Sequence, residues 1–397
     1  MIDERLFEWA TPRQAEILKA VNEHCGVRAA ARALGINPKG IHQALRPVKK
    51  RAALAGYSPD HDMTKPAPET HVVKGTSTLY DADGNVKIQW VKTDLNRERQ
   101  QQALREWVES LADDVRGLYK PVPYKNPVGR PRTRIPGADL LSVYAIGDPH
   151  CGLYAWADEA GEDFDLNKAE SLTTAAVARL VACSPPSGEA LILELGDLLH
   201  ADDSKNQTPT SHHALDVDTR YAKVMQVALR TLQNAITLAL AKHAKVTVWL
   251  VPGNHDPHSS FAIAMCLNAF YDKEKRVSIC MSPAAYKYML FGKVLIGSHH
   301  GNGIRLDNLP GVMAADRPKE WGASDYRYFY LGHVHHLSRK EFPGVVCETF
   351  RTLAARDAWH SASGYRAGRD MSLIVHHKQY GEIERHRADI AMLEDAA

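Results

Sequence analysis

Five short apolar runs, each released into a turn bearing histidine, aspartate or asparagine, constrain this 397-residue chain more than any bulk property. "LLSVYAI" ends in "GDPHCG", which sets Asp148 and His150 two residues apart. "ALILEL" ends in "GDLLH", with Asp197 and His200. "VTVWLV" ends in "PGNHD", with Asn254, His255 and Asp256. "VLIGS" ends in "HHGNG", with His299 and His300, and "YRYFYLG" ends in "HVHH", with His333 and His335. Each run has the length and composition of a buried strand. Helical patterns of similar length fall between several of them, near residues 165–182, 216–243 and 257–272. Such alternation predicts a layered α/β domain. In open sheets of this kind, sites collect at the carboxyl ends of the strands.

The residue types narrow the chemistry. Carboxylate, imidazole and amide together suit first-row divalent ions such as manganese, iron or zinc better than magnesium or calcium. A carboxylate can bridge two ions while neutral imidazoles and an amide complete the coordination. Glycines beside nearly every candidate ligand let the backbone turn sharply and approach closely.

The order D-x-H, GD, GNH(D/E), H-G, GHxH resembles the signature of calcineurin-like metallophosphoesterases, over about residues 140–350. That resemblance implies a two-layer β-sandwich flanked by helices, with two metals near one edge. Carried over, Asp148, His150 and His335 hold one metal, Asn254, His300 and His333 the other, and Asp197 bridges them. His300 is favoured over His299 because the histidine of the motif stands directly before the glycine. The two ions, most simply manganese, with iron or zinc as alternatives, activate a hydroxide that attacks the phosphate. His255 is then a general acid rather than a ligand, and Asp256 is expected to orient an imidazole behind the ligands. Protein phosphatases of this family carry an arginine soon after GD, in a GDxxDRG pattern. Here "GDLLHADDSKN" lacks it and is similar to the GD-L-[FL]-H pattern of the double-strand-break repair exonuclease branch, in which the histidine at the position of His200 assists DNA cleavage.

The chain divides at this level into residues 1–60, 61–137 and 138–397. In the first part, "GVRAAARALGINPKGIHQALRPVKKRAA" looks like a helix-turn-helix: Gly35 makes the turn, Asn37 caps the second helix and Pro38 opens it. Ile41 and Leu45 are expected to pack inward, and Lys39, His42, Gln43 and Arg46 to face outward. Arg28, Arg32, Lys39, Arg46, Lys49, Lys50 and Arg51 meet no Asp or Glu between Val27 and Pro59, which suits a phosphate-attracting surface. The overall charge of +2 means that any pull on nucleic acid comes from local patches such as this one.

The second part holds a hairpin about Asp83-Gly84, an amphipathic helix through Leu104, Trp107, Val108, Leu111, Val115 and Leu118, and a basic linker "KPVPYKNPVGRPRTRIPG". "SGYRAGRD" near the end is basic and glycine-rich and is a candidate lining of the site, ahead of a final strand pair in "SLIVHHKQYGEIERHRADI".

Six cysteines without a CxxC pair suit a reducing compartment. With no signal segment and no membrane span, the chain is expected in the cytoplasm. No GxxxxGK[ST] occurs, so a motor, replication or repair partner would be a separate chain. Together these features point to a metal-dependent phosphodiesterase acting on DNA, placed there by the helical module, a combination resembling phage-encoded proteins. The alternatives are a phosphomonoesterase, a cyclic-nucleotide phosphodiesterase, and a non-catalytic DNA-binding regulator.

Overall fold

The structure is a computed structural model that describes residues 2–64, 66–67, 71–81, 83, 85–95, 102, 106, 109–110, 112–113, 116, 118–123 and 137–394. Most of the amphipathic helix expected around 104–118, and the core of the basic linker, lie outside the described residues. The chain forms two compact units, Met1–Trp107 and Val108–Ala397.

In the first unit, α1 (Pro12–Glu23), α2 (Val27–Ala33) and α3 (Pro38–Leu54) follow a short 3-10 turn at Glu4–Trp9. Thr11 and Gln14 form a reciprocal capping box on α1. Gly35 takes a φ of 65°, and the Asn37 side chain accepts from the Lys39 amide to start α3 at Pro38. Ile17, Val21, Ala30, Ala31 and Ile41 close one small core, and Leu6, Leu18, Val48, Ala52 and Tyr57 a second. Leu45 is packed against both. Strands β1 (His71–Tyr80) and β2 (Val86–Leu95) form the antiparallel hairpin expected from the sequence.

The second unit is built on two sheets. In one, β3 (Leu140–Ile146), β4 (Glu189–Glu194), β5 (Lys245–Leu250) and β6 (Val277–Ile279) run parallel. The final strand pair, β12 (Asp370–His377) and β13 (Gly381–Asp389), adds antiparallel beside β3, giving the order β13-β12-β3-β4-β5-β6. In the other, β8 (Val294–Ser298), β9 (Tyr326–Leu331) and β11 (Val345–Thr349) run parallel. Strands β7 (Lys287–Phe291) and β10 (Ser338–Phe342) close its edges antiparallel, giving the order β10-β11-β9-β8-β7.

Side-chain alternation explains the layering, because successive strand residues face opposite sides. Leu141, Val143 and Ala145 of β3 meet Leu191, Leu193, Trp249, Ile296, Tyr328 and Tyr330 in the core between the sheets. Tyr144 and Ile146 turn the other way, with Ile192, Val246 and Val248, onto α4 (Leu166–Cys183) and α5 (Tyr221–Lys242). Beyond the second sheet, Leu295, Phe329 and Leu331 pack on Leu309 and Met313 of α6 (Leu309–Asp316). The result is helix, sheet, sheet, helix: the two β layers flanked by helices expected from the sequence. Among the described residues, no helix is long and apolar enough to cross a membrane.

Candidate metal centre

The carboxyl ends of β3, β4 and β5 in one sheet, and of β8 and β9 in the other, come together at one edge of the sandwich. Backbone bonds fix this meeting. The His150 amide donates to the Asp197 carbonyl at 3.0 Å, and the Gly332 amide to the His300 carbonyl at 2.8 Å. Others at this edge cross between the sheets: the His333 amide donates to Asp148 Oδ1 at 2.8 Å, and His300 Nδ1 to the Leu195 carbonyl at 2.9 Å.

The side chains fall into overlapping groups whose ligand atoms lie within 4.8 Å of one another: Asp148, His150 and His335; Asp197, His300 and His333; and His150, His200 and His255. The first holds the three residues expected around one metal, and the second brings His300 and His333, expected around the other, together with Asp197, expected as the bridge; Asn254 Oδ1 lies 3.0 Å from His300 Nε2. His300 Nε2 also stands 3.0 Å from Asp197 Oδ2. His299 faces elsewhere, with Nδ1 accepting from the Gly301 amide at 2.9 Å and its ring 4.6 Å from that of Tyr286.

Asp148, His150, Asp197, His333 and His335 all have positive φ, between 43° and 69°. Left-handed backbone costs roughly 1–3 kcal/mol at a non-glycine residue and clusters at functional sites. Five such residues among seven candidate ligands gather the strain at the candidate site. Close approach adds to it. Gly196, at φ 99°, lies so near His300 that a Cβ there would come within 2.4 Å of its ring nitrogen.

The donor set fits divalent cations. His150 Nε2 and His335 Nε2 are 3.1 Å apart, and His150 Nδ1 and His200 Nδ1 are 3.2 Å apart. Burial holds His150 and His200 neutral, the latter at about 3, with the other imidazoles adding to the effect. Neutral imidazoles at His150 and His200 present lone pairs to a shared space, whereas the Asp148 carboxylate beside His335 raises that ring against the effect of burial. Among the described residues, Asp148 Oδ2 and His200 Nε2 are buried without a hydrogen-bond partner, which native interiors rarely tolerate. Burial works against charge on both Asp197 and His300, yet each stabilises the other: the Asp197 carboxyl is held low and His300 is raised to about 10. The His300 Nδ1–H is committed to a backbone carbonyl, so the second proton sits on Nε2, facing Asp197. A divalent ion would take the place of that proton.

The other expected site residues divide. His255 donates its amide to Asp197 Oδ1 at 2.7 Å and its Nδ1–H to the His200 carbonyl at 2.8 Å. His200 is fully buried, its ring stacked on that of His255 at 5.2 Å. Asp256 departs from expectation, because it orients no imidazole. Its Oδ1 accepts from the Gly253 amide at 3.2 Å and its Oδ2 from the Leu199 amide at 3.0 Å, which ties the turns after β5 and β4 together. Burial, with the charge of Asp197 nearby, raises its carboxyl to about 8.

Sequence reasoning missed three neighbours. Thr352 donates to the Asp148 carbonyl at 2.6 Å. Glu194 is buried beneath the GD turn, its Oε1 accepting from the Gly196 amide at 2.8 Å. His360 stacks on His335 at 5.0 Å, with Asp357 holding its Nδ1 at 2.7 Å. The D-x-x-H spacing of Asp357 and His360 was the available signal, since an aspartate starting a helix reaches the residue three further on.

In the first unit, Lys39, His42, Gln43, Arg46 and Lys50 lie on the exposed side of α3. Two basic residues expected among them are engaged internally. Lys49 pairs with Asp60 at 2.7 Å, just beyond the acid-free stretch. The Arg51 guanidinium donates to the Trp9 carbonyl at 2.6 Å and to Gln14 at 2.5 Å, strapping α3 to the start of the chain.

No protein-family model matches the chain, and no curated protein matches it. Among solved structures it is similar to a dimetal phosphatase from Danio rerio, with 10% identity and a TM-score of 0.33, covering 63% of this chain and 98% of that one. A predicted phosphoesterase from Streptococcus pneumoniae aligns at 11% identity and a TM-score of 0.26, with 63% and 98% covered. Vacuolar Protein Sorting 29 from Cryptosporidium parvum aligns at 16% identity and a TM-score of 0.28, with 63% and 96% covered.

Proposed function

We propose that the chain is a two-metal phosphodiesterase of the calcineurin-like class that hydrolyses DNA. The observation that carries this reading is the convergence of Asp148, His150, Asp197, Asn254, His300, His333 and His335 where the strand ends of both sheets meet. Asp148, His150 and His335 would hold one ion and Asn254, His300 and His333 the other, with Asp197 between them. Bound there, two divalent ions supply an activated water at neutral pH and a clamp on the phosphate oxygens.

The remaining steps belong to the chain. The His255 Nδ1–H is fixed on the His200 carbonyl, which leaves Nε2 as the nitrogen that can hold a proton for the leaving oxygen. The Asp197 carboxylate, accepting the His255 amide, sets the height of that ring above the ligands. His200, stacked beneath it, keeps the ring from turning away.

DNA as the substrate is supported by the exposed basic side of α3, with Lys39, Arg46 and Lys50 as its phosphate-binding side chains. Arg46→Glu with Lys50→Glu should raise KM for long duplex DNA several-fold. It should also flatten the salt dependence by about one log unit of slope for each phosphate-binding side chain removed. Hydrolysis of bis(4-nitrophenyl) phosphate should change little in the same protein. The check is a set of steady-state measurements between low and physiological salt. Equal KM and equal slope in the variant would remove DNA binding from the helical unit.

A further inference from the structure

Between β11 and β12 the chain makes an excursion, residues 350–369, that carries one short helix, α7 (Ala358–Ala362), and the "SGYRAG" stretch. Its side chains form an aromatic path leading away from the metal centre. His335 stacks on His360 at 5.0 Å and 19°, and the His360 ring meets Trp359 and Tyr365 edge-on, each at 5.1 Å. Trp359 and Tyr365 stand 5.6 Å apart and are 61% and 39% exposed. Such rings support no core; each leaves a flat apolar face in water beside the site.

Tyr365 and His360 also line a cavity of about 200 Å³, together with His335, Arg356, Arg366, Arg369 and Glu162. Arg369 is neutralised by an ion pair with Glu162. Arg356 and Arg366 are not matched in this way: among the described residues their guanidinium partners are backbone carbonyls. Arg356 donates to Tyr365 at 3.3 Å and Ala160 at 3.2 Å, and Arg366 to Tyr365 at 2.7 Å and Ser361 at 3.2 Å. Carbonyls orient a guanidinium without cancelling its charge. Two oriented cations beside exposed rings, with a candidate metal ligand as the far wall, match an anion joined to a planar ring.

We propose that this pocket binds the nucleotide unit flanking the scissile phosphate. Its phosphate lies against Arg356 and Arg366, and its base stacks on Trp359 and Tyr365. The inference rests on the phosphodiesterase reading and deepens it, because a simple phosphate ester would use neither the rings nor the second pair of cations. A phosphorylated protein segment would use the arginines without the rings.

The test compares wild type with Trp359→Ala, Trp359→Phe and Arg366→Ala, all exposed positions whose folding is checked by thermal melting. The readout is the ratio of kcat/KM for thymidine 3′-phosphate 5′-(4-nitrophenyl phosphate), whose 3′-phosphate is the group offered to the arginines, to that for bis(4-nitrophenyl) phosphate, which shares the leaving group. Base stacking on an aromatic side chain gives roughly a tenfold effect. The ratio should fall by about that factor in Trp359→Ala and Arg366→Ala and recover in Trp359→Phe. Hydrolysis of both diesters with an unaltered ratio would overturn the pocket and leave the phosphodiesterase reading standing. A ratio lowered by Arg366→Ala alone would reduce the pocket to an anion site and overturn the stacking. Should wild type hydrolyse neither diester, the reading fails. Calorimetry with thymidine 5′-monophosphate and inorganic phosphate then decides the pocket, and equal affinities of wild type and both alanine variants would overturn it.

Discussion

Asp197→Ala should lower metal content below two ions per chain and depress phosphodiester turnover by more than about 10³-fold, beyond the loss of one charge-stabilising donor. In the proposed reading the carboxylate serves both ion positions, and it has two neighbours in the chain as well. Oδ2 faces His300 Nε2 at 3.0 Å, and Oδ1 accepts the His255 amide. Removing it leaves the half-buried His255 amide without its acceptor and His300 Nε2 with Asn254 Oδ1 alone, and in the proposed reading it also opens both coordination spheres. His255→Ala should behave differently. Proton transfer contributes about 10²–10⁴-fold, so turnover should fall within that range while both ions stay bound. Elemental analysis of manganese-loaded protein beside steady-state rates separates the two cases. The geometry gives the contrast its force, because His255 also lies in a candidate group with His150 and His200. Equal loss of metal in both variants would make His255 a ligand and take the general acid away from it.

Much of this site was legible because its information is local. Strand runs such as Leu140–Ile146 and Val294–Ser298 coincide with their apolar stretches, and the chemistry sits within a few residues of each strand end. The α3 cap at Asn37 and Pro38 is equally local. What stayed illegible depends on partners distant in the chain. That β12 lies antiparallel beside β3 is a pairing across more than two hundred residues, with no short-range signal. Asp256 looked like an imidazole partner because it follows His255, yet its partners are the amides of Gly253 and Leu199, chosen by how two turns dock. Lys49 and Arg51 read as free charge in a window without acids. Asp60 lay just past that window, and Arg51 found a carbonyl, which charge counting does not register. Left-handed backbone at the aspartates and histidines is likewise a property of the assembled edge: these residue types enter that region more readily than most, but the residue type alone does not say which of them will.

Gly253→Ala should disable the site while leaving the fold in place. The glycine stands at the turn after β5, and a Cβ there would fall 2.0 Å from Asp197 Oδ1 and 2.2 Å from the Asp197 amide nitrogen. Neither atom can retreat. The amide belongs to a turn whose φ of 55° is already in the left-handed region, and the carboxylate is held by His300 and the His255 amide. Relief therefore comes from moving the GD turn away from the GNH turn, which separates Asp197 from Asn254 and His255 together. A displacement of about 1 Å at reacting groups costs on the order of 10²-fold in rate, and the shift here reaches Asp197 and His255, the bridging ligand and the general acid of the proposed reading, at once. Gly322→Ala supplies the control: its Cβ would meet nothing within 4 Å, and it lies in the helix Pro318–Ala323, where alanine gains about 1 kcal/mol over glycine. Thermal melts and diester hydrolysis should show Gly322→Ala active and at least as stable as wild type. Gly253→Ala should melt cooperatively and turn over at least about 10²-fold more slowly. Full activity in Gly253→Ala would mean that the two turns need not be held this close, and with that Asp197 would lose its place between the two ions.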